Sequence, residues 1–220
     1  MKAASEQLKR LEDNDLLKSG ISLLDLGNHE NLYTKLLIYI DLLIKWNKTY
    51  NLTSLTTKED IITTHLLDCL SVVKKIDGQR ILDVGSGAGL PGLMIALARP
   101  NSNLCLIDKV AKKTSFIKQA VLELELNNVE VIHGRVEDLR VKNPFDMIVS
   151  RAFSEVEKFI SLTQHLVSKQ GAWLIMKSKK IMTEDLKKLD KAFEVEPIFV
   201  PYFDAERYLV RINNKVKDIF

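Results

Sequence analysis

The chain has 220 residues, 46% hydrophobic and 28% charged, with 32 Lys and Arg against 29 Asp and Glu for a formal charge of +3. That is an ordinary globular composition, with room for one ample domain plus an appendage and enough apolar residues for a full core. A charge so near balance does not by itself announce nucleic-acid binding, so any such case rests on where the cations sit.

Cys69 and Cys105 lie in apolar segments without metal-ligand spacing and read as reduced core residues, and the four histidines show no ligand spacing either, so no metal is expected. The first ten residues lack an apolar signal core, and no apolar run approaches membrane-spanning length. A soluble, monomeric, cytoplasmic protein with no membrane partner is expected.

Residues 1–78 read as a helical extension packed on a core at 79–220. Leu32, Leu36, Ile40, Leu43 and Ile44 recur at helical spacing from Asn31 to about Asn47. A polar and aromatic loop follows, Trp46-Asn47-Lys48-Thr49-Tyr50-Asn51-Leu52-Thr53, too poor in apolar residues to be core. Thr57-Lys58-Glu59-Asp60 resembles a capping box opening a helix to about Ile76. Within it His65 and Asp68 stand three apart on one face, a pairing that from residue type alone is ordinary helix support.

The stretch Ile81-Leu82-Asp83-Val84-Gly85-Ser86-Gly87-Ala88-Gly89-Leu90-Pro91-Gly92 reads as strand, glycine turn and helix, with Pro91 suited to a first helical turn. A helix N-terminus behind such a turn offers free N–H groups to a cofactor. Gly87 to Gly92 satisfies the dinucleotide pattern, but that pattern should start at the strand's end, Gly85, and from there Leu90 occupies the third glycine's place. Asp83 would repel a pyrophosphate and suits a cation. S-adenosylmethionine is such a cofactor, and Asp108, ending the next apolar run Leu104–Ile107, supplies an acceptor for its ribose hydroxyls. Asp83, Gly85, Gly87, Gly89 and Asp108 are the cofactor candidates on these grounds. The dinucleotide reading stands as the rival, beside a glycine turn that holds no ligand.

Apolar runs then alternate with helical patterns at Val129–Ile132, Met147–Val149 and Trp173–Met176, which argues for a parallel sheet wrapped by helices. Glu194–Val200 and Arg207–Ile212 are separated by six residues, too few for a crossover helix, so they pair antiparallel. A parallel sheet finished by an antiparallel hairpin is the pattern of a class I, Rossmann-like methyltransferase, here seven-stranded with its helical extension. Ligands bind outside the carboxyl ends of such strands. That edge carries Arg135-Val136-Glu137, Ser150-Arg151-Ala152-Phe153 and Lys177-Ser178-Lys179-Lys180, along with Lys109, Lys112 and Lys113. Lysines at a helix start oppose its dipole unless an anion is near, and RNA phosphates are candidates. Any one of these lysines fits a solvated face equally well.

The chain resembles the RsmG (GidB) family of bacterial 16S rRNA guanine-N7 methyltransferases. The resemblance rests on Trp46-Asn47, Tyr50-Asn51-Leu52-Thr53, His65-x-x-Asp68, Leu82 to Gly92, Arg135-Val136-Glu137 and Ser150 to Phe153, in that order. It implies cofactor contacts from Gly85, Leu90, Val136, Glu137 and Arg151. It also makes Asn51, His65 and Asp68 the candidates for the catalytic pocket, with a guanine of the 530 loop in the small ribosomal subunit as target. Lys112, Lys113, Phe153, Lys177 and Lys179 are then the candidate RNA contacts. Ser178 stands where the family often has glycine. A methyltransferase acting on another RNA, a protein or a small molecule, and a non-catalytic RNA-binding assembly factor, remain the other readings.

Overall fold

The computed structural model describes residues 2–27, 29–151, 155–178, 186, 189 and 191–214, with side chains from residue 12 onward apart from 29. Helices α1 (Lys2–Leu24) and α2 (His29–Tyr50) open the chain. In α2 the buried side chains Leu32, Leu36, Tyr39, Ile40 and Leu43 fall on one stripe, so a helix of mixed composition keeps an apolar face. Next come α3 (Lys58–Asp60), a π-helical stretch Ile61–Leu67, α4 (Asp68–Leu70) and a 3-10 turn Val73–Lys75. The expected single helix to Ile76 is therefore interrupted. Its start matches expectation in part: Thr57 Oγ1 accepts the Asp60 N–H at 3.1 Å and donates to Asp60 Oδ2 at 2.6 Å.

The remaining elements are β1 (Arg80–Val84), α5 (Gly92–Ala98), β2 (Asn103–Asp108), α6 (Ala111–Glu123), β3 (Val129–His133), β4 (Phe145–Ser150), α7 (Val156–Thr163), β5 (Val167–Lys177), β6 (Phe193–Pro197) and β7 (Tyr208–Asn213). They form one seven-stranded sheet in the order β3-β2-β1-β4-β5-β7-β6. Strands β1 to β5 run parallel, and β7 is antiparallel to both β5 and β6. The chain leaves β1 toward β3 on one side and returns to β4 on the other. The β1/β4 junction is thus the switch point where such sheets take ligands.

Strand alternation divides the interior into two layers. Ile81, Leu104, Leu106, Met147, Val149, Leu174 and Met176 face the N-terminal helices with α5 and α6, in one core with Leu17, Ile21, Tyr39, Leu43 and Leu67. Leu82, Val84, Cys105, Ile107, Ile148, Trp173 and Ile175 face the other way, packing with Phe159 and Ile160 of α7. Both faces of the central strands are covered, which is why they read as continuous apolar runs. No helix among the described residues is long and apolar enough to cross a membrane.

Candidate active site

The glycine loop is built around backbone that side chains would obstruct. Gly85, Gly87 and Gly89 have φ of 72°, 59° and 80°, a region glycine enters freely. Asp83 shares the face of Ile81, so it points under α5 and is fully buried. Its Oδ2 accepts the Gly92 N–H at 2.8 Å, while Oδ1 has no partner among the described residues. Burial pushes Asp83 up to about 7 against the pull of that N–H. A Cβ on Gly92 would lie 2.6 Å from Asp83 Oδ2, so only glycine lets strand acid and helix start meet. The helix opens at Gly92, with Pro91 as its cap and the Leu90–Pro91 peptide cis. Asp83 is thus a ligand of the loop, and the loop, not the acid, borders the groove.

That groove, of about 410 Å³, is lined by Val84, Gly85, Ile107, Asp108, Val110, Gly134, Val136, Glu137 and Leu162, with Lys109, Lys113, Arg135 and Lys158 around them. Asp108 Oδ2 accepts from Gly87 N and Oδ1 from Val110 N, each at 2.9 Å. Each oxygen keeps a second acceptor site, so the carboxylate can take two further donors, such as vicinal hydroxyls. Asp108, Gly85, Val136 and Glu137, singled out from separate parts of the sequence, come together here. Leu90 is buried in the loop, and Gly87 and Gly89 shape it.

Beside the loop runs a polar chain. Ser150 Oγ bonds Val84 O at 2.9 Å, which sets Arg151 next to the glycine loop. Arg151 Nη1 lies 3.2 Å from His65 Nδ1, 3.3 Å from Thr64 O and 3.6 Å from Asp68 Oδ2. A guanidinium only donates, so His65 Nδ1 is assigned as acceptor, and the ring proton sits on Nε2, donated to Thr53 Oγ1 at 2.8 Å. Burial, then the Arg151 charge, pushes His65 down to about 4, which keeps the ring neutral. Asp68 Oδ1 accepts from Arg207 Nε at 3.0 Å, and burial raises this carboxyl while both guanidiniums oppose the rise. His65 and Asp68 therefore meet through Arg151 and not directly.

Asn51 caps α2 with φ of 48° and an exposed side chain, while its neighbour Asn47 orders the loop by accepting Thr53 N at 2.9 Å. Lys112 departs from expectation. Its Nζ donates to Tyr50 O at 2.7 Å, so the helix-start lysine has an internal partner and ties α6 to the end of α2. Lys113 lines the groove itself. Lys177 ends β5 half-buried on the expected edge, whereas Phe153 and Lys179 lie outside the described residues. The sequence reading missed Arg207, 139 residues from its partner, as well as Lys158 and the Thr53 hydroxyl. Arg207's place before β7, at the ligand edge, was its one available signal.

Sheet order, antiparallel finish and a groove over the carboxyl ends of β1, β2 and β3 together define a class I methyltransferase fold. The O-methyltransferase TomG of Streptomyces achromogenes, solved in complex with S-adenosylmethionine, matches it with a TM-score of 0.55 at 14% identity, over 79% of this chain and 89% of that one. Residues 32–210 match the GidB family, rRNA small subunit methyltransferase G, and the chain belongs to that family. The ribosomal RNA small subunit methyltransferase G of Methylobacillus flagellatus is 45% identical over 194 residues, covering 88% of this chain and 95% of its own. That of Neisseria meningitidis serogroup B is 43% identical over 212 residues, covering 93% and 100%.

Proposed function

We infer that this protein is a cytoplasmic enzyme that transfers a methyl group from S-adenosylmethionine to N7 of a guanine in the 530 loop of 16S rRNA. Family membership supports the methyltransferase activity and the rRNA substrate. The observation that carries the choice of N7 is the state of the polar chain beside the glycine loop. His65 is neutral but spends both nitrogens on Arg151 and Thr53, and Asp68 is held by two guanidiniums. Neither is placed to remove a proton. Guanine N7 carries an in-plane lone pair and no proton, so its attack requires alignment and not deprotonation.

The residues present fit the cofactor: Asp108 would accept from the ribose hydroxyls, Val136 and Glu137 would frame the adenine, and the Gly85–Gly89 backbone leaves space for close approach. When bound, S-adenosylmethionine supplies an electrophilic methyl on a sulfonium. The chain's part is to hold Arg151 and the Thr53 loop in fixed register beside the glycine loop and to receive an unstacked base. In an A-form helix N7 lies in a deep, narrow groove, so a looped or extruded guanine is the accessible form. Asn51, on the exposed loop, is the candidate to align it, with Phe153, Lys177 and Lys179 as substrate contacts. The test is tritiated-methyl incorporation into small subunits lacking the modification, followed by nucleoside analysis. Label recovered as 7-methylguanosine is the expected result. Label confined to a ring carbon, an exocyclic amine or a ribose would contradict the assignment, and none in any rRNA would remove the substrate.

A further inference from the structure

The groove that suits a cationic cofactor is ringed by cations. Lys109 comes from the β2–α6 connection, Lys113 from α6, Arg135 from the turn after β3 and Lys158 from α7, so four separate segments deliver positive charge to one mouth. Two carboxylates stand among them. Asp108 is committed to Gly87 and Val110 N–H groups, and Glu137 pairs with Arg135 at 2.7 Å. Among the described residues Lys109, Lys113 and Lys158 form no ion pair, and Lys109 and Lys158 are exposed. Four cations against two carboxylates leave the mouth net positive, and a net positive mouth repels any cation that enters. S-adenosylmethionine carries one net positive charge, and its demethylated product S-adenosylhomocysteine carries none. By itself, then, this mouth discriminates against the substrate and in favour of the product.

We propose that this cationic rim is an rRNA-phosphate seat placed over the cofactor groove, so that RNA binding neutralises the rim and thereby raises the affinity for S-adenosylmethionine. This rests on the rRNA reading above and adds to it where the RNA backbone lies and how the two substrates are coupled. By linkage the effect is reciprocal: the cofactor strengthens RNA binding by the factor that RNA strengthens cofactor binding. S-adenosylhomocysteine, with no net charge, feels little of this coupling. A free enzyme left with product is reset when the next RNA arrives, because RNA shifts the competition toward the methyl donor.

The test uses Lys158→Gln, Lys109→Gln and the double variant, with calorimetry at low salt. Each substitution should raise S-adenosylmethionine affinity roughly two- to five-fold, as expected for removing a unit charge several ångströms from another in a largely aqueous setting. S-adenosylhomocysteine affinity should stay within two-fold of the parent protein, which also shows that the groove is intact. For binding to unmodified small subunits, each lost phosphate contact should reduce the log–log salt slope by about 0.7–0.9. Saturating subunits should raise the parent's affinity for S-adenosylmethionine and leave that of the double variant nearly unchanged. Equal effects on both cofactor forms, or a salt slope untouched by both substitutions, would overturn the seat while leaving the rRNA reading standing. A parent protein with no affinity for subunits or 16S rRNA would overturn that reading and the seat with it.

Discussion

At the scale of single residues, Asp83 and His65 pull the pH dependence of folding in opposite directions. Folded Asp83 titrates near 7 against an ordinary 3.8, so the folded state holds the extra proton between those values, and stability falls as pH rises through that window. Folded His65 titrates near 4 against 6.5, so there the unfolded chain holds the extra proton and stability rises with pH. Through the shared window the two slopes oppose, and removing either exposes the other. Asp83→Asn, which keeps an acceptor for the Gly92 N–H, should gain roughly 3 kcal/mol between pH 4 and 6.5. His65→Gln should lose stability over the same interval. Urea midpoints at several pH values measure both, and curves that overlay the parent's would mean these two sites do not govern the acid response.

At the scale of elements, the strand-to-helix turn depends on what glycine omits. Gly92→Ala would bring a methyl 2.6 Å from Asp83 Oδ2 and 2.7 Å from Leu106 Cγ, both inside the packed layer under α5. An overpacked core of this kind costs about 1–3 kcal/mol, read as a lowered urea midpoint. A variant as stable as the parent would show that the turn relaxes easily. This element was legible in the sequence because an apolar run, alternate glycines and a proline are local signals. So were the seven strands, although β5 begins earlier than expected because Ser168, Lys169 and Gln170 carry no strand signal, and β6 is Phe193–Pro197 where Glu194–Val200 was expected. The π-helical stretch was not legible. Its i→i+5 hydrogen bonds leave no distinct apolar period in the residues Ile61–Leu67, and His65 and Asp68 still come to one side, where both reach Arg151 Nη1. The Thr53–His65–Arg151–Asp68–Arg207 chain was half visible, since its members are distant in sequence and each pairing is a product of the fold. Lys112 shows the same limit: dipole reasoning about its own helix says nothing of a carbonyl presented by another.

At the scale of the molecule, the helical segments before the sheet are part of its interior. Tyr39 is fully buried and donates to Ala88 O in the glycine loop at 2.7 Å, and its ring lies edge-on to Phe116 of α6 at 6.0 Å. Leu17, Ile21, Leu36 and Leu43 cover the same sheet face as α5 and α6. We therefore expect residues 79–220 produced alone to lack a cooperative thermal transition by circular dichroism, since the face over Leu93, Met94 and Phe116 would be bare. A sharp melt from that fragment would instead make the first 78 residues a dispensable cap.

The strand order sets a timetable for the newborn chain. β6 leaves the ribosome before β7, yet its one neighbour in the sheet is β7, which inserts between it and β5. Until residues 208–213 emerge, β6 has no template and the edge of β5 stays open. Arg207 arrives at the same moment, so Asp68 waits through the synthesis of 139 residues for one of its two guanidinium partners. Closure of the sheet and completion of the polar chain beside the glycine loop are thus one late event.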